Sequence, residues 1–204
     1  MNMNIKVFSD YACPFCYIAL RFFEKLKEDG VQFDMEWIPY EMNPDIPKEG
    51  KSIEGKFPKG YREKMHEMLT KFGQEYGIEY KMQKMDYNTH RALLAGEYAK
   101  SLGKYDDFSK RVFKAYFTEE RNIGDEEVLN SIAEEVGLDV DKMNKLIDSE
   151  EFEENMKEAK KLIDKFEVEG TPTIIINNEH KMVGIRHYDQ MKRTILAYSE
   201  SKLT

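Results

Sequence analysis

The order of apolar and polar positions divides the chain into strand-rich ends and a helical middle. At the start, Met3, Ile5 and Val7 alternate with Asn4 and Lys6 before Phe8, the period of a half-buried strand that ends near Ser9-Asp10. Ala19, Phe22, Phe23 and Leu26 then recur at helical spacing until Asp29-Gly30 stops the helix. Val31, Phe33, Met35 and Trp37 alternate with Gln32, Asp34 and Glu36 and predict a second strand. Near the other end, Ile174-Ile175-Ile176 predicts a buried strand closed by an Asn177-Asn178 turn. A short strand around Lys181-Met182-Val183 follows, and Met191, Ile195, Leu196 and Tyr198 stripe a last helix.

Between Met42 and about Lys165 the period is helical. Tyr61, Met65, Met68, Leu69, Phe72 and Tyr76 form one stripe, Leu94, Tyr98 and Leu102 a second, and Phe108, Val112, Phe113, Tyr116 and Phe117 a third. Asp125 reads as the N-cap of a helix through Val128, Leu129, Ile132, Ala133 and Val136. Asp139 starts a short helix ending near Ile147, and Ser149 is expected to cap a long one through Phe152, Met156, Ala159, Ile163 and Phe166. The two ends hold too few strands for separate sheets. They predict one α/β unit, residues 1–42 with 166–204, interrupted by an all-helical insertion over residues 43–165.

Composition narrows the partners. The 204 residues carry 31 Lys+Arg against 39 Asp+Glu, a net charge of −8, which argues against a nucleic-acid backbone binder and against a basic amphipathic membrane anchor. No apolar stretch approaches the roughly 18 residues that cross a bilayer. The start at Met1 shows no apolar signal segment, so a cytoplasmic protein is expected. Two cysteines are too few for the disulfide framework of a secreted fold.

Their placement is the informative part. In Tyr11-Ala12-Cys13-Pro14-Phe15-Cys16-Tyr17, Pro14 suits the first helical position, so Cys13 falls at the N-cap and Cys16 one turn in. Unpaired amides and the positive helix end lower the Cys13 pKa and make it the attacking thiolate. Cys16, deeper, becomes the resolving thiol. Zinc would need two more ligands, and His66, His90, His180 and His187 lack the spacing to supply them. A merely structural pair of buried cysteines is the other alternative. The twelve methionines read as packing or adaptable binding surface, not a copper site. No metal is expected.

A strand, C-x-x-C at a helix start and a second strand open a thioredoxin-like domain, and longer segments extend the likeness. Asp10-Tyr11-Ala12-Cys13-Pro14-Phe15-Cys16-Tyr17-Ile18 and Trp37-Ile38-Pro39-Tyr40-Glu41-Met42-Asn43-Pro44 resemble the D-x-x-C-P-W-C-Y-I and W-x-P-F-x-L-N-P segments of the DsbA-like FrnE family. Asn88-Thr89 with Ala92, Tyr116-Phe117 before Asn122-Ile123, and Gly170-Thr171-Pro172-Thr173 match further segments. Phe15 replaces that family's Trp, and Leu93 stands where a His is common. The resemblance implies a thioredoxin fold with a helical insertion, DsbA-like. It also implies a cis-proline at Pro172 facing the cysteines and a Thr171 backbone that pairs with an incoming substrate.

The expected activity is dithiol–disulfide exchange on protein or small-molecule thiol substrates. No resident cofactor is expected, with glutathione the candidate co-substrate. The alternative is a glutathione-dependent transferase or isomerase of the kappa-class or hydroxychromene carboxylate isomerase type; such relatives usually carry serine at the nucleophile position, which Cys13 with Cys16 argues against. The large apolar residues of the insertion also predict a cleft beside the Cys13 helix end, rimmed by Phe15 and Tyr11 with Met65 and Met68 opposite.

Overall fold

The computed structural model describes residues 3–149 and 151–200; Met1, on which the cytoplasmic expectation rests, lies outside them. Strand β1 (Met3–Ser9) leads into helix α1 (Pro14–Glu28) and strand β2 (Phe33–Pro39). After the middle of the chain come β5 (Thr173–Ile176), β6 (His180–Val183) and α8 (Tyr188–Glu200). The four strands form one sheet in the order β2-β1-β5-β6. β1 runs parallel to β2, with Val7 opposite Trp37, and antiparallel to β5, with Val7 opposite Ile174. β6 pairs antiparallel with β5 through the Asn177-Asn178 turn, where both residues take positive φ, as asparagine tolerates. Both ends of the sequence therefore build a single α/β layer.

The middle contributes α2 (Tyr61–Gln74), α3 (His90–Ser101), α4 (Tyr105–Phe117), α5 (Glu126–Glu135), α6 (Val140–Asp148) and α7 (Glu153–Lys165). Apart from loops, its regular structure is helical except for a two-residue ladder of β3 (Lys51–Ser52) and β4 (Met85–Asp86), which the apolar pattern is too short to show. Asp125 and Asp139 cap α5 and α6, each side chain accepting from amides of the first turn. Ser149 does not cap α7. It is the C-cap of α6, its hydroxyl donating to the Leu146 carbonyl, and α7 begins after Phe152.

One core joins the layers: Ile5, Val7, Phe22 and Phe23 pack in the same buried cluster as Phe108, Phe113, Leu129 and Ile132. The opposite face of the sheet presents Phe8, Ile38 and Ile175 to Ala159, Leu162 and Ile163. Helix α7, although it lies within residues 43–165, thus covers the sheet.

An ionic clasp crosses these elements. His90, at the start of α3, places Nδ1 3.0 Å from a Glu41 carboxylate oxygen beyond β2 and Nε2 2.9 Å from Glu153 at the start of α7. The Glu41 bond, partly opposed by burial and reinforced by Glu153, pushes the imidazole up to about 9 from 6.5. A raised histidine pKa stabilises the fold fully below about pH 6.5, and that contribution disappears as pH rises through about 9. With the His90 side chain 38% exposed, solvent screening reduces the contribution to about 1 kcal/mol. His90→Gln is therefore expected to lower urea-unfolding stability by about 1 kcal/mol at pH 6 and to match wild type at pH 10. An equal loss at both pH values would contradict the charged clasp.

Candidate active site

Pro14 at the first position of α1 leaves Cys13 as its N-cap, in extended conformation (φ −94°, ψ 113°), with Cys16 one turn in. The chain enters through a tight turn in which the Cys13 amide donates to the Asp10 carbonyl at 3.1 Å. Cys13 is 4% exposed and Cys16 wholly buried, and both are free thiols. The Thr171–Pro172 peptide bond is cis, and the Cys13 sulfur lies 3.3 Å from the Thr171 carbonyl oxygen. The Gly184 amide donates to the Pro172 carbonyl at 2.8 Å, which fixes this loop to β6. Cys13, Cys16, Thr171 and Pro172 are brought together.

The two thiols are pushed apart electrostatically. A hydrogen bond from the Cys16 thiol is the largest influence on Cys13 and lowers its pKa; burial opposes it, and Thr171 and the amides of Cys16 and Phe15 add to the lowering. Burial, first, and the neighbouring Cys13 sulfur push Cys16 well above an ordinary thiol. Iodoacetamide is accordingly expected to modify Cys13 at a lower pH than a free thiol, while Cys16 resists modification in the native state. Peptide mass spectrometry across a pH series reads both residues. Earlier modification of Cys16 would reverse the assignment.

Three side chains hold this arrangement. Asp10, almost fully buried, accepts from the Ala12 amide at 2.9 Å and the Met42 amide at 2.6 Å. Burial raises its carboxyl to about 6, against the pull of those two amides and the Thr89 hydroxyl. Met42 in turn places its sulfur 2.9 Å from the Thr171 hydroxyl, which also lies within reach of Cys13. Tyr80 donates to the Pro14 carbonyl at 2.6 Å. Its ring can approach because residue 73 is glycine: a Cβ there would sit 2.7 Å from the ring. Of the three, only Asp10 carries a local sequence signal, an Asx turn over Asp10-Tyr11-Ala12.

The rim differs from the expected one. Tyr11 is 2% exposed, its ring edge-on to Phe113 at 5.1 Å and its hydroxyl 2.8 Å from Ser109 Oγ, so it is a core residue with its polar end satisfied. Phe15 is half-buried against the main core and does not line the cleft. A cleft of about 260 Å³ does open beside the cysteine helix end, bordered there by Ala12 and Pro14. Met65 lines it, Met68 does not, and Met42 and Met82 supply the other thioethers. Among the described residues no cluster could hold a metal ion, and no helix is long and apolar enough to cross a membrane.

A C-x-x-C pair at a helix N-terminus, opposite a proline loop on a four-stranded mixed sheet, defines a thioredoxin-fold dithiol site. The chain belongs to the DSBA-like thioredoxin domain family, which it matches over residues 4–196. A curated relative, the uncharacterized protein YwbO of Bacillus subtilis, is 29% identical over 180 residues, 87% of this chain and 88% of that one. A probable DsbA oxidoreductase of Streptomyces coelicolor, SCO1869, superposes with a TM-score of 0.86 at 18% identity, covering 97% of this chain and 90% of its own. A 2-hydroxychromene-2-carboxylate isomerase shares the fold with a TM-score of 0.72 at 19% identity, over 98% of this chain and 99% of that one.

Proposed function

We propose that the protein is a dithiol–disulfide oxidoreductase of the FrnE-like branch of its family, working on thiol substrates in the reducing cytoplasm. The observation that carries the reading is the opposed pair: a Cys13 thiol lowered at the helix end and a Cys16 thiol raised by burial behind it. The Cys13 thiolate attacks one sulfur of a substrate disulfide; a Cys13–substrate disulfide forms and the other substrate sulfur leaves as thiolate. Cys13 then carries no negative charge, so that part of the upward push on Cys16 disappears and its proton leaves more easily. Cys16 attacks the Cys13 sulfur and releases the second substrate thiol. The protein's dithiol has been oxidised by two electrons and the substrate reduced; the reverse sequence makes a disulfide in the substrate. No resident cofactor is needed for either direction, and glutathione fits as a co-substrate that resets the pair.

Thr171 is read as the backbone partner of the bound substrate, its carbonyl already beside Cys13. The isomerase reading has the shared fold in its favour and the Cys13–Cys16 pair against it. Insulin reduction, or exchange with a small disulfide, by the reduced protein tests the proposal. Full activity in a Cys13→Ser protein would end it.

A further inference from the structure

The cleft beside Cys13 differs from the rest of the surface in two independent ways. Among the described residues seven large apolar side chains are exposed, and four of them line this cleft: Met42, Phe57, Tyr61 and Met82. Clustered exposed apolar groups mark binding surfaces, whereas single ones do not. Phe57 and Tyr61 stack on each other with ring centres 5.4 Å apart and planes at 20°, an aromatic pair at the cleft's edge.

The second difference is charge. The whole chain carries −8, yet the cleft is lined by Lys56, Arg62 and Lys81 against one carboxylate, Asp86, which Lys56 already pairs at 2.5 Å. Neither Arg62 nor Lys81 has an ion-pair partner among the described residues. The half-buried Arg62 guanidinium is held through one nitrogen by the Gln83 carbonyl at 2.5 Å, leaving donors for an incoming anion. Ala12 and Pro14 border the same cleft, so a group in it lies beside the cysteine turn.

We propose that this cleft selects disulfides whose non-reacting arm is a small aromatic ring bearing a carboxylate, the ring against Phe57 and Tyr61 and the anion on Arg62 and Lys81. The inference rests on Cys13 and Cys16 acting as an exchanging dithiol. The volume of about 260 Å³ suits one such arm and not a stretch of polypeptide. The reaction balances without a further reagent: Cys13 displaces one aryl thiolate from the diaryl disulfide, and Cys16 displaces the second. The products are two aryl thiolates, two protons and the Cys13–Cys16 disulfide.

The test compares bis(carboxynitrophenyl) disulfide, which is anionic, with dipyridyl disulfide, which is aromatic and neutral. Each rate is divided by the rate of free glutathione with the same reagent, which removes intrinsic reactivity. The reduced protein is expected to favour the anionic reagent, and that preference is expected to shrink at high salt. Arg62→Gln should slow the anionic reagent about tenfold to a hundredfold, the scale of one charge-assisted hydrogen bond, and leave the neutral one unchanged. Lys81→Gln, at an exposed position, should act in the same direction, and Arg62→Lys should retain most of the wild-type preference. No preference in the wild type, or an equal slowing of both reagents by Arg62→Gln, overturns the inference. Failure of dipyridyl disulfide to oxidise the Cys13–Cys16 pair would instead overturn the exchange reading beneath it.

Discussion

Cys13→Ser is expected to reduce disulfide exchange to the uncatalysed background, while Cys16→Ser stops the same reaction halfway with substrate still attached. The first loss follows from the nucleophile: a serine hydroxyl in place of Cys13 supplies no thiolate at neutral pH and forms no disulfide. The second follows from the order of the sulfurs along α1. Cys13, at the helix end, meets the substrate, and wholly buried Cys16 can reach only the sulfur in front of it. Without Cys16 the Cys13–substrate disulfide has no internal route to release. Intact-mass measurement of the Cys16→Ser protein after incubation with a disulfide substrate should show one adduct, mapping to Cys13 and removed by dithiothreitol. An adduct-free Cys16→Ser protein that still turns over would place the resolving step on an external thiol and refute the two-cysteine cycle.

The elements that form this site were open to reading where short-range physics decides them. Proline after Cys13, the alternation before Ser9 and the periodic apolar residues after Ile18 each have one economical interpretation, and β1 and α1 follow from them. Asp125 and Asp139 cap their helices for the same local reason. Ser149 shows the limit of such reasoning. Its hydroxyl has two local options, and bonding back to Leu146 ends α6 instead of starting α7.

What the chain order hides is which face meets which partner. The stripe on α2 was legible as a helix, yet Tyr61, 44% exposed, lines a cleft, and Met65 lines it too while packing against the core. The stripe on α7 was equally legible, but its partner is the far face of the sheet, formed by strands from both ends of the chain. Tyr11 sits in a turn where no periodicity says whether a ring points in or out; the pocket made by Phe113 and Ser109 decides it. The bonds of Asp10 to Met42, of Tyr80 to Pro14 and of His90 to Glu41 and Glu153 join segments far apart in sequence. No window of a few residues contains them.

Phe113→Ala is expected to be the most damaging substitution outside the cysteines. Phe113, on α4, is 1% exposed; its ring stacks on Tyr17 at 5.3 Å and meets the edge of Tyr11 at 5.1 Å, the residues that flank the cysteine motif. Truncating a buried phenylalanine removes its transfer energy and leaves a cavity, together about 3–5 kcal/mol. The two rigid tyrosine rings that bordered it close over such a cavity poorly, which favours the upper half of that range. For a chain of this length the loss corresponds to a fall of roughly 6–20 °C in Tm. Because the sheet's residues and those of α4 and α5 share one buried cluster, unfolding should remain a single transition at a lower urea midpoint with an unchanged slope. Circular dichroism and tryptophan fluorescence give independent readouts, since Trp37 is the only tryptophan and lies on β2 while most of the helical signal comes from residues 61–165. Coincident curves would show that the insertion and the sheet unfold together. Curves that separate, or a loss under about 1 kcal/mol, would show that α4 contributes little to holding the cysteine helix, and Tyr11 and Tyr17 would then need another support.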